Sequence, residues 1–252
     1  MRARYTGWVL CAGVLLSSCG APRPASAKLT VAAAANLIDV FGEIGRAFQA
    51  KTGVEVVFSY GSTAQLATQI ENGAPFDVFA AADSEHVESL AGSRKILGES
   101  CSIYSLGQLA LWIPEGGPGG VRELKDLTDP KIRFIAIAQP ELAPYGAATV
   151  DVLKGAGLWD AVRPKLVYGT SISMAKQYAA SGSANAAFTA YSLVLHDKGT
   201  VLKIDPKLYQ PIEQAVGIVA ASTHMNEANQ FRSFLLGAEG RTILANSGYL
   251  LP

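Results

Sequence analysis

Apolar positions along this chain fall into two alternating patterns. Short continuous apolar runs occupy residues 29–33, 54–58, 77–81, 134–138, 166–168 and 185–189, the signature of buried strands. Between them, apolar residues recur three and four apart. Leu37, Val40, Phe41, Ile44 and Phe48 form one such face, with Gly53 beyond its end, which predicts a helix and its stop. Leu66 and Ile70 predict a second helix, opened by Ser62 or Thr63 and ended by Gly73. Val87 with Leu90, Ala147 with Val150 and Leu153, and Met174 with Tyr178 mark three more. Strand–helix units of this length predict parallel sheets with helices on both faces.

Two longer apolar runs, 105–113 and 215–221, read as extended strands. A Pro/Gly cluster over 114–120 breaks the chain after the first. A helix carrying Phe231, Phe234 and Leu235, and a last one over 241–245, follow the second. The pattern therefore predicts two α/β units, with the long strands crossing between them as a hinge.

The first 27 residues do not belong to that pattern. Arg2 and Arg4 precede an apolar run from Trp8 to Leu16, and small residues follow. This is the layout of a secretory leader, too short to span a bilayer as a helix. Two processing sites are legible. Leu16-Ser17-Ser18-Cys19 resembles a lipobox, in which Cys19 becomes lipidated and Pro22, Pro24 and Ser26 form a tether; Ala25-Ser26-Ala27 suits an ordinary signal peptidase. Either site places the protein outside the cytoplasm.

Charge narrows the partners. The chain carries 21 basic and 21 acidic residues, and the leader holds Arg2, Arg4 and Arg23 but no acid, so the remainder is slightly acidic. That argues against nucleic acid, which requires a basic face. Beyond the leader, Cys101 is the lone cysteine and reads as a small core hydrophobe with no internal disulfide.

Candidate chemistry lies in loops that follow strands and precede helices, where open α/β sheets bind ligands. Ala32-Ala33-Ala34-Ala35-Asn36 leaves room for an ion to approach the backbone, and Asn36 supplies an amide. Ser59-Tyr60-Gly61-Ser62-Thr63 places two hydroxyls at a helix start, as does Thr170-Ser171-Ile172-Ser173. Gln139-Pro140-Glu141-Leu142-Ala143-Pro144-Tyr145-Gly146 forms a stiff loop after a strand. Each also serves plain helix capping. Together they offer hydroxyls, amides and backbone N–H groups, with no Arg or Lys until Lys176. Helix starts favour anions, so the set points to a receptor for a small oxyanion. An enzymatic reading has little support. Ser173-Met174-Ala175-Lys176 fits S-x-x-K and Lys51-Thr52-Gly53 fits K-T-G, but their order is reversed and no S-D-N lies between. His86, His196 and His224 are well separated, and no H-E-x-x-H or G-x-S-x-G pattern occurs.

The chain resembles the periplasmic molybdate-binding proteins of ABC transporters, the ModA family, over residues 29–252. The landmarks are Thr30-Val31-Ala32-Ala33-Ala34-Ala35-Asn36-Leu37, Phe58-Ser59-Tyr60-Gly61-Ser62-Thr63, Asn72-Gly73-Ala74-Pro75-Phe76-Asp77-Val78-Phe79, Ala143-Pro144-Tyr145-Gly146 and Gly248-Tyr249. The resemblance implies an α/β, two-lobed type II periplasmic-binding fold with mixed, mostly parallel sheets and a ligand cleft between the lobes. Residues 28–107 and 217–252 would form lobe I, and 108–216 lobe II. It further implies that molybdate, and with it tungstate, is bound as the intact oxyanion, with no metal coordinated by protein atoms and no cofactor. Ligand positions fall on Ala35, Asn36, Ser62, Thr63, Tyr145, Ser171 and Ile172. A further position, a tyrosine in some members, falls on Ala190, with Tyr191 adjacent. Members often carry serine where Asn36 stands. The implied partner is a membrane ABC permease, and the implied state a monomer. The same fold with sulfate, phosphate or a small organic acid is the alternative; a secreted serine hydrolase is the rival from another class.

Overall fold

A computed structural model describes residues 28–252. The leader, the tether and Cys19 lie outside the described residues. The first strand, β1 (Lys28–Ala34), runs into a 3-10 turn, Ala35–Leu37, and then α1 (Ile38–Thr52). Gly53 ends α1 with φ at 75°, and its N–H donates to Gln49 O at 2.8 Å; a left-handed stop of this kind suits glycine. The pattern repeats through β2 (Glu55–Gly61), α2 (Thr63–Glu71), β3 (Val78–Ala80), α3 (Glu85–Gly92) and β4 (Ser102–Gly107).

The chain then builds a second unit. It comprises β5 (Leu109–Pro114), β6 (Ile135–Ala138), α4 (Pro144–Gly155), α5 (Trp159–Val162), β7 (Leu166–Gly169), α6 (Ile172–Ala180), β8 (Ala186–Ala190), α7 (Tyr191–Val194) and β9 (Gly199–Lys203). Strand β10 (Ile212–Ile218) returns to the first unit, and α8 (Met225–Leu236) and α9 (Ala238–Asn246) complete it. The sheet orders are β2-β1-β3-β10-β4 and β7-β6-β8-β5-β9. β1 lies parallel to β2 and β3, and β6 parallel to β7 and β8; β10 and β5 run antiparallel to their neighbours. The molecule is thus a two-lobed α/β protein with mixed sheets.

Helical spacing placed the core of lobe I correctly. Phe41, Phe48 and Phe231 are fully buried. Phe231 meets Phe48 edge-on, with centroids 5.4 Å apart and planes at 84°, a geometry worth about 0.5–1.5 kcal/mol beyond the area it buries.

Four expectations need correction. The run 105–113 is two strands in different sheets, broken at Gln108. That residue's carbonyl accepts the Tyr191 N–H at 2.8 Å, and its side-chain amide donates to Gly248 O at 2.6 Å. A polar residue inside an apolar run marks the place where the chain changes sheet. The later strand starts at Ile212 and ends at Ile218, earlier than 215–221, and pairs wholly within the first sheet. The return passage is therefore 204–211, and the expected lobe boundary at 216/217 falls inside β10. Strand β9 is absent from the apolar pattern, because a five-residue edge strand with mostly exposed side chains has little apolar signal. Finally, α4 begins at Pro144, so Tyr145 lies in the helix and not in the loop before it. Proline at the first helical position has no N–H to waste and a suitable φ.

Candidate functional site

Strand pairing brings the polar loops together in twos. Ala34 at the end of β1 lies opposite Gly61 at the end of β2, so Ala35-Asn36 and Ser62-Thr63 leave the first sheet side by side. In the second sheet Ala138 lies opposite Gly169, so the loop leading to Tyr145 and the Thr170-Ser171-Ile172 turn also emerge as neighbours. The two pairs face each other across the cleft. The Ala64 N–H on α2 donates to Leu142 O in the other lobe at 3.2 Å. The turn at Ala35–Leu37 packs on α6, and Ser192 Oγ on α7 donates to Asn36 O at 3.4 Å.

Ala35, Asn36, Ser62, Thr63, Tyr145, Ile172 and Ala190 are buried, and Ser171 is half-buried. Ser62 stands at the N-cap position of α2, yet its Oγ makes no capping bond and has no protein partner. Thr63 Oγ1 instead accepts the Ala82 N–H at 3.1 Å, tying α2 to the end of β3. Ser171 does cap α6, accepting the Met174 N–H at 3.3 Å. Tyr145 and Ile172 occupy first-turn positions of α4 and α6, where an α-helix leaves N–H groups unpaired. Ala190 ends β8 beside Thr189. Tyr191 turns away: its N–H is engaged by Gln108, and its ring lies under Lys203 Nζ, 3.9 Å from the centroid.

The amide donor expected of Asn36 is engaged elsewhere. Its Nδ2 donates to Gln214 Oε1 at 2.9 Å and to the Tyr249 hydroxyl at 3.0 Å, leaving Oδ1 buried without a partner. Five buried side-chain atoms among the described residues lack a protein partner: Asn36 Oδ1, Ser62 Oγ, Ser105 Oγ, the Tyr145 hydroxyl and Thr189 Oγ1. Ser105 lies opposite Gln214 in the sheet, so it shares this seam with Asn36, Ser62 and Tyr145; Thr189, next to Ala190 on β8, faces the other side of its sheet. Buried polar groups are rarely left unpaired, and their concentration here marks a place built to meet a polar ligand.

The site holds no fixed cation. Lys176 Nζ donates to Leu193 O at 2.5 Å and pairs with Asp197 at 2.8 Å. Burial, reinforced by the neighbouring Tyr249, holds the Tyr145 phenol well above its ordinary pKa, and burial does the same for Tyr249. Both therefore stay protonated. A groove of about 330 Å³ opens between the lobes beside the loops, lined among others by Asp83, His86, Glu141 and Asp151. Its carboxylates suit an anion poorly, so the oxyanion candidate is the enclosed seam. Among the described residues, no group of three or more His, Cys, Asp or Glu is placed to hold a metal ion.

Gln214, Ser192 and Gly107 were not singled out from the sequence, and Tyr249 entered only as a family landmark. Gln214 had left a signal: it is an uncharged polar residue inside the apolar strand Ile212–Ile218. Its meeting with Asn36, 178 positions away, left none.

A family-wide sequence profile described as bacterial extracellular solute-binding protein matches residues 29–250. The molybdate-binding protein ModA of Rhodobacter capsulatus is 34% identical over 251 residues, covering 99% of this chain and 96% of that protein. The molybdate-binding protein ModA of Azotobacter vinelandii is 35% identical over 246 residues, covering 96% of each. The solved structure of the Azotobacter vinelandii periplasmic molybdate-binding protein superposes with a TM-score of 0.85 at 33% identity, covering 89% of this chain and 99% of that one.

Proposed function

We propose that this chain, which belongs to the bacterial extracellular solute-binding proteins, captures molybdate, and with it tungstate, outside the cytoplasm and delivers it to the membrane permease of an ABC importer. The observation that carries this reading is the convergence of four strand-end loops, two from each lobe, into one buried seam of uncharged donors. The Ser62 hydroxyl is a buried donor with no other partner. Helices α2, α4 and α6 each start at one of these loops, and the unpaired N–H groups and positive dipole end of a helix start suit an anion. A dianion held there accepts charge-assisted hydrogen bonds worth roughly 1.5–3 kcal/mol each. The donors are preoriented, and lobe closure excludes water. With no buried countercharge to hold it, the ion leaves when the lobes part. Its relatives named for molybdate support the choice of ion. Capture by a monomer, anchored through Cys19, belongs to the same proposal; detergent-phase partitioning of wild type against Cys19→Ala reads the anchor.

One observation favours a second reading. The unpartnered Asn36 Oδ1 is an acceptor, and an acceptor in the pocket suits an oxyanion that still carries a proton, such as hydrogen phosphate. Glu141, the carboxylate that the polar loops carry, is exposed and lines the neighbouring groove, so it does not strengthen that reading.

Calorimetry and thermal unfolding with molybdate, tungstate, sulfate and phosphate decide between them. Molybdate at a hundredfold excess over Kd adds about 2.7 kcal/mol, a rise of roughly 5–10 °C in Tm for a protein of this size. Absence of molybdate heat contradicts the proposal; a stronger response to phosphate or sulfate moves it to the second reading.

A further inference from the structure

The 3-10 turn Ala35–Leu37 carries two of the candidate ligand positions, but no side chain of its own holds it: neither the turn nor α1 behind it starts with a side-chain cap. Its hold comes from outside. The Asn36 carbonyl oxygen accepts the Tyr249 hydroxyl proton at 2.8 Å. Ser192 Oγ lies 3.1 Å from that hydroxyl and 3.4 Å from the carbonyl oxygen itself, so the three oxygens form one closed cluster. Tyr249 gives its proton to Asn36, and Ser192 gives its proton to Tyr249 or to Asn36. Hydrogen bonds in such a chain polarise and strengthen one another. They meet the backbone of Asn36 and do not depend on its side-chain amide.

The cluster draws on both lobes and on the end of the chain. Asn36 belongs to the first lobe. Ser192 stands on α7 of the second, two residues beyond Ala190. Tyr249 arrives on the carboxy-terminal arm, and that arm is placed by specific contacts. Gln108 Nε2 donates to Gly248 O at 2.6 Å, the Tyr249 N–H donates to Leu244 O at 3.1 Å, and Leu250 pairs with Leu106. Gly248 has φ at 86°, and a Cβ there would stand 2.9 Å from the Tyr191 ring of the second lobe. The left-handed backbone and the close approach both require glycine. The arm therefore lies flush against the second lobe, and the Tyr249 side chain turns inward, 3% exposed.

We infer that Tyr249 and Ser192 are positioning residues of the oxyanion site: through the Asn36 carbonyl they hold the Ala35–Asn36 backbone in its binding position, and Ser192 makes that hold depend on contact between the lobes. Both hydroxyl protons are spent inside the cluster, so neither is offered to the ion. Parting of the lobes withdraws Ser192 and leaves the turn on Tyr249 alone. Opening of the cleft and loosening of a ligand loop are then one event. This rests on the oxyanion reading above.

Calorimetry with molybdate on Ser192→Ala, Ser192→Thr, Tyr249→Phe and the Ser192→Ala/Tyr249→Phe double variant tests it, with thermal unfolding alongside. Ser192→Ala weakens molybdate on the order of 3- to 10-fold, the worth of one neutral hydrogen bond. Ser192→Thr keeps the hydroxyl and recovers the affinity; the groove of about 300 Å³ that Ser192 lines has room for the added methyl. Without ligand, Ser192→Ala unfolds at the wild-type temperature, because water takes the bond when the lobes are apart. Tyr249→Phe also weakens molybdate, and the double variant loses less than the product of the two single losses, because the hydroxyls act as one chain. Wild-type affinity in Ser192→Ala overturns the inference even if Tyr249→Phe fails to fold. So does a Ser192→Thr variant as weak as Ser192→Ala, and so do losses that multiply in the double variant. If wild type binds molybdate while the variants behave like it, the positioning role alone falls; if wild type binds no oxyanion, the functional reading falls and the positioning role with it.

Discussion

The residue that most clearly separates binding from folding is Ser62. A serine at a helix start normally caps it, and replacing a cap by alanine costs about 0.5–2 kcal/mol of stability. Ser62 Oγ caps nothing and is buried without a partner, so its hydroxyl contributes nothing to folding in the unliganded protein. Ser62→Ala is therefore expected to leave the unliganded Tm unchanged or slightly raised. Its molybdate affinity should fall on the order of 10- to 150-fold, the worth of one charge-assisted bond. Paired thermal unfolding and calorimetry check both halves. A drop in Tm with unchanged affinity would return Ser62 to an ordinary cap. From the sequence, Ser62 and Thr63 looked equivalent. The structure divides their work, because Thr63 Oγ1 is taken by the Ala82 N–H and Ser62 Oγ is not.

Among the elements, α4 shows how closely the binding helices are set against their sheets. At Gly146, in the first turn, an added Cβ would press on the Ala138 carbonyl oxygen and lie 2.9 Å from Ala138 C and 3.1 Å from Gln139 C. These are backbone atoms of β6 and its exit, with little freedom to yield, so glycine is what lets the helix start close to the strand it follows. Gly146→Ala should push the α4 terminus outward and misplace the Tyr145 N–H. We expect both a lower Tm and a molybdate affinity reduced at least tenfold, since misplacement by a fraction of an ångström breaks hydrogen-bond geometry. Wild-type affinity in this variant would show that the first turn of α4 does not hold the ion. The elements themselves were largely legible in the sequence. The spacing from Leu37 to Phe48 announces α1 and Gly53 its end, and Thr170-Ser171 offers two candidate caps for α6, of which the structure uses Ser171. Gln108 carries little signal of its own, because one polar residue does not interrupt a hydrophobic run. Sheet exchange, by contrast, depends on partners at Tyr191 and Gly248 that are remote in sequence. The same holds for the seam. The loops are local and could be read; the meeting of Asn36 with Gln214 and Tyr249 is a product of topology.

At the scale of the whole molecule, the two lobes are joined by passages at Gln108 and 204–211, and the carboxy-terminal segment is clasped to β4 of the first lobe. The Leu106 N–H donates to Leu250 O at 2.7 Å, and the Leu250 N–H to Leu106 O at 3.0 Å. Tyr249 then reaches from this clasp to Asn36 and to Ser192 on the opposite lobe. Occupation of the loops and approach of the lobes are thereby tied to the same few hydrogen bonds, and domain closure around a ligand of this kind is a common device. The groove beside the seam, with Asp83, Glu141 and Asp151 on its walls, makes the location of the ion a sharp question. Diffraction from crystals grown with molybdate, recorded at the molybdenum absorption edge, answers it. One anomalous peak enclosed by Asn36, Ser62, Tyr145 and Ile172 is the predicted result. A peak in the acidic groove, or none in the protein, would contradict the account.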